Sequence, residues 1–210
     1  IDHKGLVSYR AIGDEQTKSP YELNCSYIDI LSHPDDPLNL KVKRMLLSQA
    51  VTLAMPGVPG IYFHSLVGST SYHEAVRQTR INRSINREKL NFDNIKDDLE
   101  DNGSLRQIIF KRYKQLISIR INESAFNPYS KFEFLDFGKD IFAIKQYAKD
   151  EEESILALFN FSNKKIKIDL QKATNDKLTD IITHKVFKPT TITIDPYDML
   201  WLKKFKKDEK

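Results

Sequence analysis

The stretch GVPGIYFHSLVGST, residues 57–70, decides how the rest of the chain is read. The apolar run at 58–63 is too short for a helix of ordinary length, and Tyr62 and Phe63 favour a pleated backbone. The pattern therefore predicts a buried strand. His64 opens the polar turn that follows, and such a turn is where chemistry can sit.

Upstream, LNLKVKRMLLSQAVTLAMP (38–56) sets Leu38, Val42, Met45, Leu46, Gln49 and Leu53 at three- and four-residue steps, which predicts a helix closed by Pro56. Before it, residues 1–37 read as loop, because Pro20, Pro34, Pro37 and the mixed run AIGDEQTKSP break any long period. Only YELNCSYIDIL (21–31) reads as locally ordered. Downstream, residues 71–103 are irregular and charged, with one short helix in NFDNIKDDLEDNG that Gly103 stops. Ser104 then caps a helix whose stripe is Leu105, Ile108, Ile109, Tyr113, Leu116 and Ile117.

Past Asn127 and Pro128 the period changes from helix to strand. KFEFLDF, IFAIKQYA, SILALFNF, KIKIDL, KLTDII, TTITI and DMLWLKKF alternate between polar turns and predict an antiparallel β domain. The expected division is residues 1–124 and 125–210. A loop, a helix and one buried strand fit an α/β barrel or a doubly wound sheet, but one strand cannot bury both of its faces alone. A complete eight-stranded barrel takes about 250 residues, so only its final units fit into residues 1–124.

Composition narrows the classes. With 40% hydrophobic and 30% charged residues, the 210-residue chain is expected to be a soluble globular protein, and no apolar run approaches the roughly 20 residues of a membrane span. No signal peptide is visible, so the expected compartment is cytoplasmic, with no membrane partner. Cys25 is the one cysteine, which excludes an internal disulfide and a cysteine-based zinc site. Lys and Arg (33) nearly balance Asp and Glu (29), and the basic tail KKFKKDEK reads as a frayed end, so no nucleic-acid partner is expected.

Three stretches in one order, GLVSYRAIGDEQTKSPYELNCSYIDIL, LAMPGVPGIYFHSLVGS and TRINRSINREKL, resemble the later part of the sucrose phosphorylase subfamily of the α-amylase superfamily. That subfamily includes sucrose, sucrose-6-phosphate and glucosylglycerate phosphorylases. ESILALFNFS and TITIDPYDMLWLKK are similar to its all-β C-terminal domain. The resemblance implies a fold of α/β plus all-β: the last units of a (β/α)8 barrel, then an antiparallel β-sheet C-terminal domain. It makes residues 58–63 the eighth barrel strand and brings His64 to the active-site rim, where such barrels act.

The implied activity is retaining phosphorolysis of an α-glucoside to α-glucose 1-phosphate, with inorganic phosphate as co-substrate and no cofactor. Two carboxylates roughly 5 Å apart do this work in retaining enzymes. The family's nucleophile, acid and stabilising aspartate all precede the region that this chain matches. Asp35, Asp36, Asp97, Asp98, Glu100 and Asp101 read as solvated surface, so no catalytic residue is assigned and the chain alone is expected to be inactive without the N-terminal barrel portion. Substrate-binding positions carry over as Arg83, for glucosyl hydroxyls, and as Tyr21, Glu22 and Asn24 in PYELN beside the acceptor subsite. Glu22 stands where sucrose phosphorylases commonly have glutamine. Each position has a plainer alternative: Arg83 as a loop bridge, Glu22 as a surface acid, His64 as a satisfied rim histidine. Arg77, Arg80 and Arg87 share the segment and raise its affinity for anions if they are free. An α-amylase-type hydrolase and a noncatalytic carbohydrate- or partner-binding module remain the competing functions.

Overall fold

The computed structural model describes residues 3–205; the last five residues of the basic tail, 206–210, lie outside them. The chain divides into two compact units, residues 1–45 with 61–112 and residues 46–60 with 113–210.

The first unit opens with a hairpin where the sequence reads as loop. Strands β1 (Leu6–Ile12) and β2 (Asp14–Asn24) pair antiparallel. Gly13 turns the chain at φ +73°, a backbone conformation that only glycine adopts at no steric cost. Pro20 does not break β2 because the register shifts beside it, between Ser8 and Tyr9. Such a bulge leaves a residue without a ladder bond, and proline is tolerated there. Much of the hairpin is exposed, with Tyr9, Ile12, Tyr21 and Leu23 all open to solvent, so burial imposes no strict alternation on the sequence. Helix α1 (Tyr27–Leu31) follows, with the Ser26 hydroxyl accepting from Asp29 N.

Helix α2 (Leu38–Ala54) forms as expected. Val42, Met45, Leu46 and Leu53 are buried, whereas Leu38, at its start, is exposed. The strand predicted over 58–63 is absent. Residues 58–62 have no regular structure, and Val58 is 84% exposed. A strand needs a hydrogen-bonded neighbour, and no described strand pairs with this segment. His64 lies instead in a one-turn helix, α3 (Phe63–Leu66). Between 71 and 103 there is more order than the sequence suggests: helix α4 (His73–Thr79) and a 3-10 turn (Asn82–Asn86) precede the expected helix α5 (Phe92–Glu100). Helix α6 (Leu105–Asn122) begins with Ser104 Oγ accepting from Gln107 N at 3.1 Å, the predicted cap.

The second unit is antiparallel, as its alternating runs require. Strands β3 (Phe132–Phe134), β4 (Ile141–Tyr147), β5 (Ser154–Asn160), β7 (Leu178–Asp180), β8 (Val186–Phe187) and β10 (Met199–Lys204) form one sheet in the order β3-β4-β5-β10-β7-β8. Strands β6 (Ile166–Asp169) and β9 (Thr191–Ile194) form a separate two-stranded ladder. Only the two-residue β8 has no counterpart among the predicted runs. Every residue of β5 is buried, as befits a strand paired on both sides. Trp201 and Phe126 meet edge to face at 4.9 Å. Asp180, wholly buried, accepts from the backbone amides of Ile182, Thr183 and Trp201 and so satisfies the Trp201 donor that the core would otherwise strand.

Two polar side chains of this unit close the end of α2. Arg120 donates to Leu53 O and, at 2.7 Å, to Gly57 O, and Gln146 Nε2 donates to Ala54 O at 2.6 Å. Terminal helix carbonyls have no partner within their own helix. On the same helix Gln49 is buried, and its Oε1 accepts the Tyr113 hydroxyl at 2.8 Å.

Candidate functional site

Arg83 and Glu22, named from the sequence, meet directly. Arg83 occupies the 3-10 turn and Glu22 lies on β2 opposite Ser8. Arg83 Nε donates to both carboxylate oxygens, at 2.9 and 2.8 Å. Hydrogen bonding to Glu22, then its negative charge, raises the guanidinium above its ordinary range. The pair is open to solvent on one side, with side-chain exposures of 50% and 29%. A guanidinium has five N–H donors in a planar fork, so a contact through Nε leaves its terminal nitrogens to bind hydroxyls or a carboxylate.

Tyr21 lies in the bulged stretch of β2 and is half exposed. Asn24 differs: it is 2% exposed, and its Nδ2 donates to Ser8 Oγ at 2.8 Å. Asn82 donates to the same hydroxyl at 3.2 Å and to Val7 O at 3.4 Å. Asn24 and Asn82 thus clamp the hairpin to the turn that carries Arg83. That turn is fixed again where Ile85, fully buried, offers its carbonyl to Tyr72 N at 2.7 Å.

His64 is built into a second cluster by the motif HSLVGS. Helix α3 ends in a left-handed Gly68, φ +60°, whose N–H donates to Ser65 O at 3.3 Å while Ser69 N donates to His64 O at 2.8 Å. This pair of bonds is the Schellman closure, and it needs a residue that tolerates positive φ. A side chain at position 68 would also meet Ile109 Cδ1 at 3.0 Å. The closure returns Ser69 to His64, so that Ser69 Oγ lies 3.0 Å from Nδ1. Arg106 Nη1 donates to the same Oγ at 3.0 Å and to Val67 O at 3.3 Å. Asp98 at 3.1 Å and Glu88 at 3.7 Å neutralise the Arg106 guanidinium.

Tyr62 and Phe63 flank the imidazole, with ring centroids 5.2 and 6.0 Å away. The Tyr62 hydroxyl donates to Asn86 O at 2.9 Å, which ties this cluster to the turn that holds Arg83. Burial pushes the imidazole below its ordinary value, Glu88 pulls it up and Arg106 pushes it further down.

Of the remaining cations, Arg77 is paired with Glu74, and Arg80 caps α4 in the left-handed conformation. Asp36 and Asp98, read from the sequence as solvated acids, are paired with Arg44 and Arg106. Ser8, Ser69, Asn82 and Arg106 escaped the sequence reading, because no local pattern marks a hydroxyl or amide that bridges distant segments. The one usable sign was Ser69, one residue past a glycine that ends a short helix. Among the described residues no group of three His, Cys, Asp or Glu side chains is placed to hold a metal, and no helix is long and apolar enough to cross a membrane.

No family model matches the chain. A glucosylglycerate phosphorylase of Spirochaeta thermophila is 38% identical over 164 residues, which cover 77% of this chain and 27% of that protein. The glucosylglycerate phosphorylase of Escherichia coli is 30% identical over 187 residues, 89% of this chain and 33% of that protein. Among solved structures, the sucrose 6F-phosphate phosphorylase from Thermoanaerobacter thermosaccharolyticum aligns with a TM-score of 0.59 at 22% identity, over 75% of this chain and 29% of that one. AmyP in complex with maltose aligns with a TM-score of 0.66 at 15% identity, over 83% of this chain and 36% of that one. At such identities these two show the fold alone. The chain thus spans about a third or less of the length of these phosphorylases. By sequence it is a relative of the glucosylglycerate, sucrose and sucrose 6-phosphate phosphorylases.

Proposed function

We propose that the chain is the C-terminal part of a retaining α-glucoside phosphorylase, with a glucosylglycerate-type substrate preferred over sucrose. In this reading residues 1–124 complete a (β/α)8 barrel and residues 125–210 form its C-terminal domain. Phosphate resolves a covalent glucosyl intermediate to give α-glucose 1-phosphate and a free acceptor. The observation that carries the reading is the 38% identity to a glucosylglycerate phosphorylase over 77% of the chain. Glu22 beside Arg83 supports it, since a carboxylate in the PYELN segment departs from the glutamine common in sucrose phosphorylases.

Within such an enzyme this chain binds and orients. The open side of Arg83 takes glucosyl hydroxyls, and Glu22 holds the guanidinium in place while accepting from acceptor hydroxyls. Tyr21 offers an exposed ring and hydroxyl beside them. Nucleophile and acid must flank one bond on rigid neighbouring elements, and no carboxylate pair of this chain is assigned that work. The test joins this chain to the N-terminal portion of the Spirochaeta relative and supplies glucosylglycerate with and without phosphate. Phosphate-dependent α-glucose 1-phosphate supports the proposal. Free glucose made equally well without phosphate favours a hydrolase, and binding without turnover favours a noncatalytic module.

A further inference from the structure

We propose that Ser69 and Arg106 are positioning residues for His64, fixing the neutral imidazole with its proton on Nε2 so that it presents one N–H donor to an acceptor oxygen of a ligand. The ligand clause rests on the reading of His64 as part of a substrate site; the tautomer does not.

The inference follows from counting hydrogens. Arginine donates and never accepts, so the 3.0 Å contact between Arg106 Nη1 and Ser69 Oγ uses a lone pair of that oxygen. A serine hydroxyl has one hydrogen to give. Ser69 is 5% exposed, and the remaining side-chain partner of its Oγ is His64 Nδ1 at 3.0 Å. The hydroxyl therefore donates to Nδ1, which must be an acceptor, and in a neutral imidazole the proton then sits on Nε2. In the opposite tautomer Nδ1–H and Arg106 would both donate to one oxygen, leaving the buried Ser69 hydrogen with no acceptor. Buried donors without partners are rare because they are costly.

The surroundings favour the same state. Arg106 is the cation facing the cluster, and Glu88 and Asp98 both face that cation. The Tyr62 and Phe63 rings cover the imidazole on other sides. Burial and Arg106 work against protonation, and Glu88 works for it. Among the described residues Nε2 has no protein partner, so its N–H is free to bind a hydroxyl, carboxylate or phosphate oxygen.

Long-range proton–nitrogen correlation spectra of the labelled 210-residue chain test this, with the His64 signal identified by its loss in His64→Gln. The expected spectrum shows Nδ1 unprotonated and Nε2 protonated at neutral pH, with a titration midpoint below 6.5. Ser69→Ala is expected to give mixed tautomers and move the midpoint upward, and Ser69→Thr to restore the parent spectrum. An Nδ1–H tautomer in the unsubstituted chain overturns the proposal, as does a Ser69→Ala chain with the parent tautomer and midpoint. Should Ser69→Ala not fold, the tautomer of the unsubstituted chain decides alone. No ligand or turnover enters, so failure here is separate from failure of the phosphorylase reading.

Discussion

Strand β5 and residues 58–63 present the same kind of sequence, a short apolar run rich in strand formers, and end in opposite states. All seven residues of β5 are buried between β4 and β10. Residues 58–62 pair with no strand among the described residues, and Val58, Ile61 and Tyr62 are exposed. Composition is not what separates them. A pleated segment is stabilised by backbone bonds to a neighbour and by side chains packed on its faces; the described residues supply both to β5, but give 58–63 no strand partner and leave Val58 open to solvent. An apolar run therefore states a capacity, and its neighbours decide whether the capacity is used.

Substitutions in the two segments are expected to have unequal effects. Leu158→Ala in β5 removes a fully buried side chain and is expected to cost about 3 kcal/mol in urea or thermal unfolding. Val58→Ala, at an exposed position, is expected to stay within about 0.5 kcal/mol. Equal losses at the two sites would show that 58–63 is packed like β5. Asp180→Ala leaves the buried Trp201 amide and the part-buried amides of Ile182 and Thr183 without their acceptor and is expected to cost about 2 kcal/mol.

A smaller loss tests the end of the 57–70 stretch, which has regular structure where its beginning has none. Gly68→Ala forces an L-residue to φ +60° against Ile109, at an expected cost of about 1 kcal/mol. Loosening of the Ser69–His64 contact should accompany it.

The smallest effect is in pH. Burial first, and Arg106 with it, holds the folded His64 imidazole below 6.5, so the unfolded chain takes up its proton at the higher pH. The contribution to stability is therefore fully present above about 6.5 and is lost as the pH falls through the folded-state value. Thermal unfolding followed from pH 7.5 to 5 should show the decline, and His64→Gln should flatten it.

Much of this architecture was legible where sequence period and burial coincide. Helices α2 and α6 and seven of the strands beyond residue 128 follow from stripes and alternation. The β1–β2 hairpin was missed because it is half exposed, and its turn rests on one glycine in a polar run. At the site, the sequence marked Arg83, Glu22 and His64 but not the Ser8, Asn82, Ser69 and Arg106 contacts that hold their segments. Ser8 and Asn82 lie 74 residues apart, and Ser69 and Arg106 lie 37 apart. Contacts of that span follow from the folded path, which no local pattern encodes. The resemblance puts Asn24 beside the acceptor subsite, and nothing local in the sequence signals that its amide donates to Ser8.

The most direct measurement is turnover by the purified 210-residue chain, with glucosylglycerate and inorganic phosphate as substrates and α-glucose 1-phosphate as the product followed. If Arg83, Glu22, Tyr21 and His64 orient a substrate whose bond is broken by carboxylates outside this chain, no product forms alone. Turnover then appears once the N-terminal portion is joined, and Arg83→Ala in that joined enzyme lowers it. Phosphate-dependent product from the chain by itself, free of contaminating enzyme, would contradict the claim that these residues bind without catalysing.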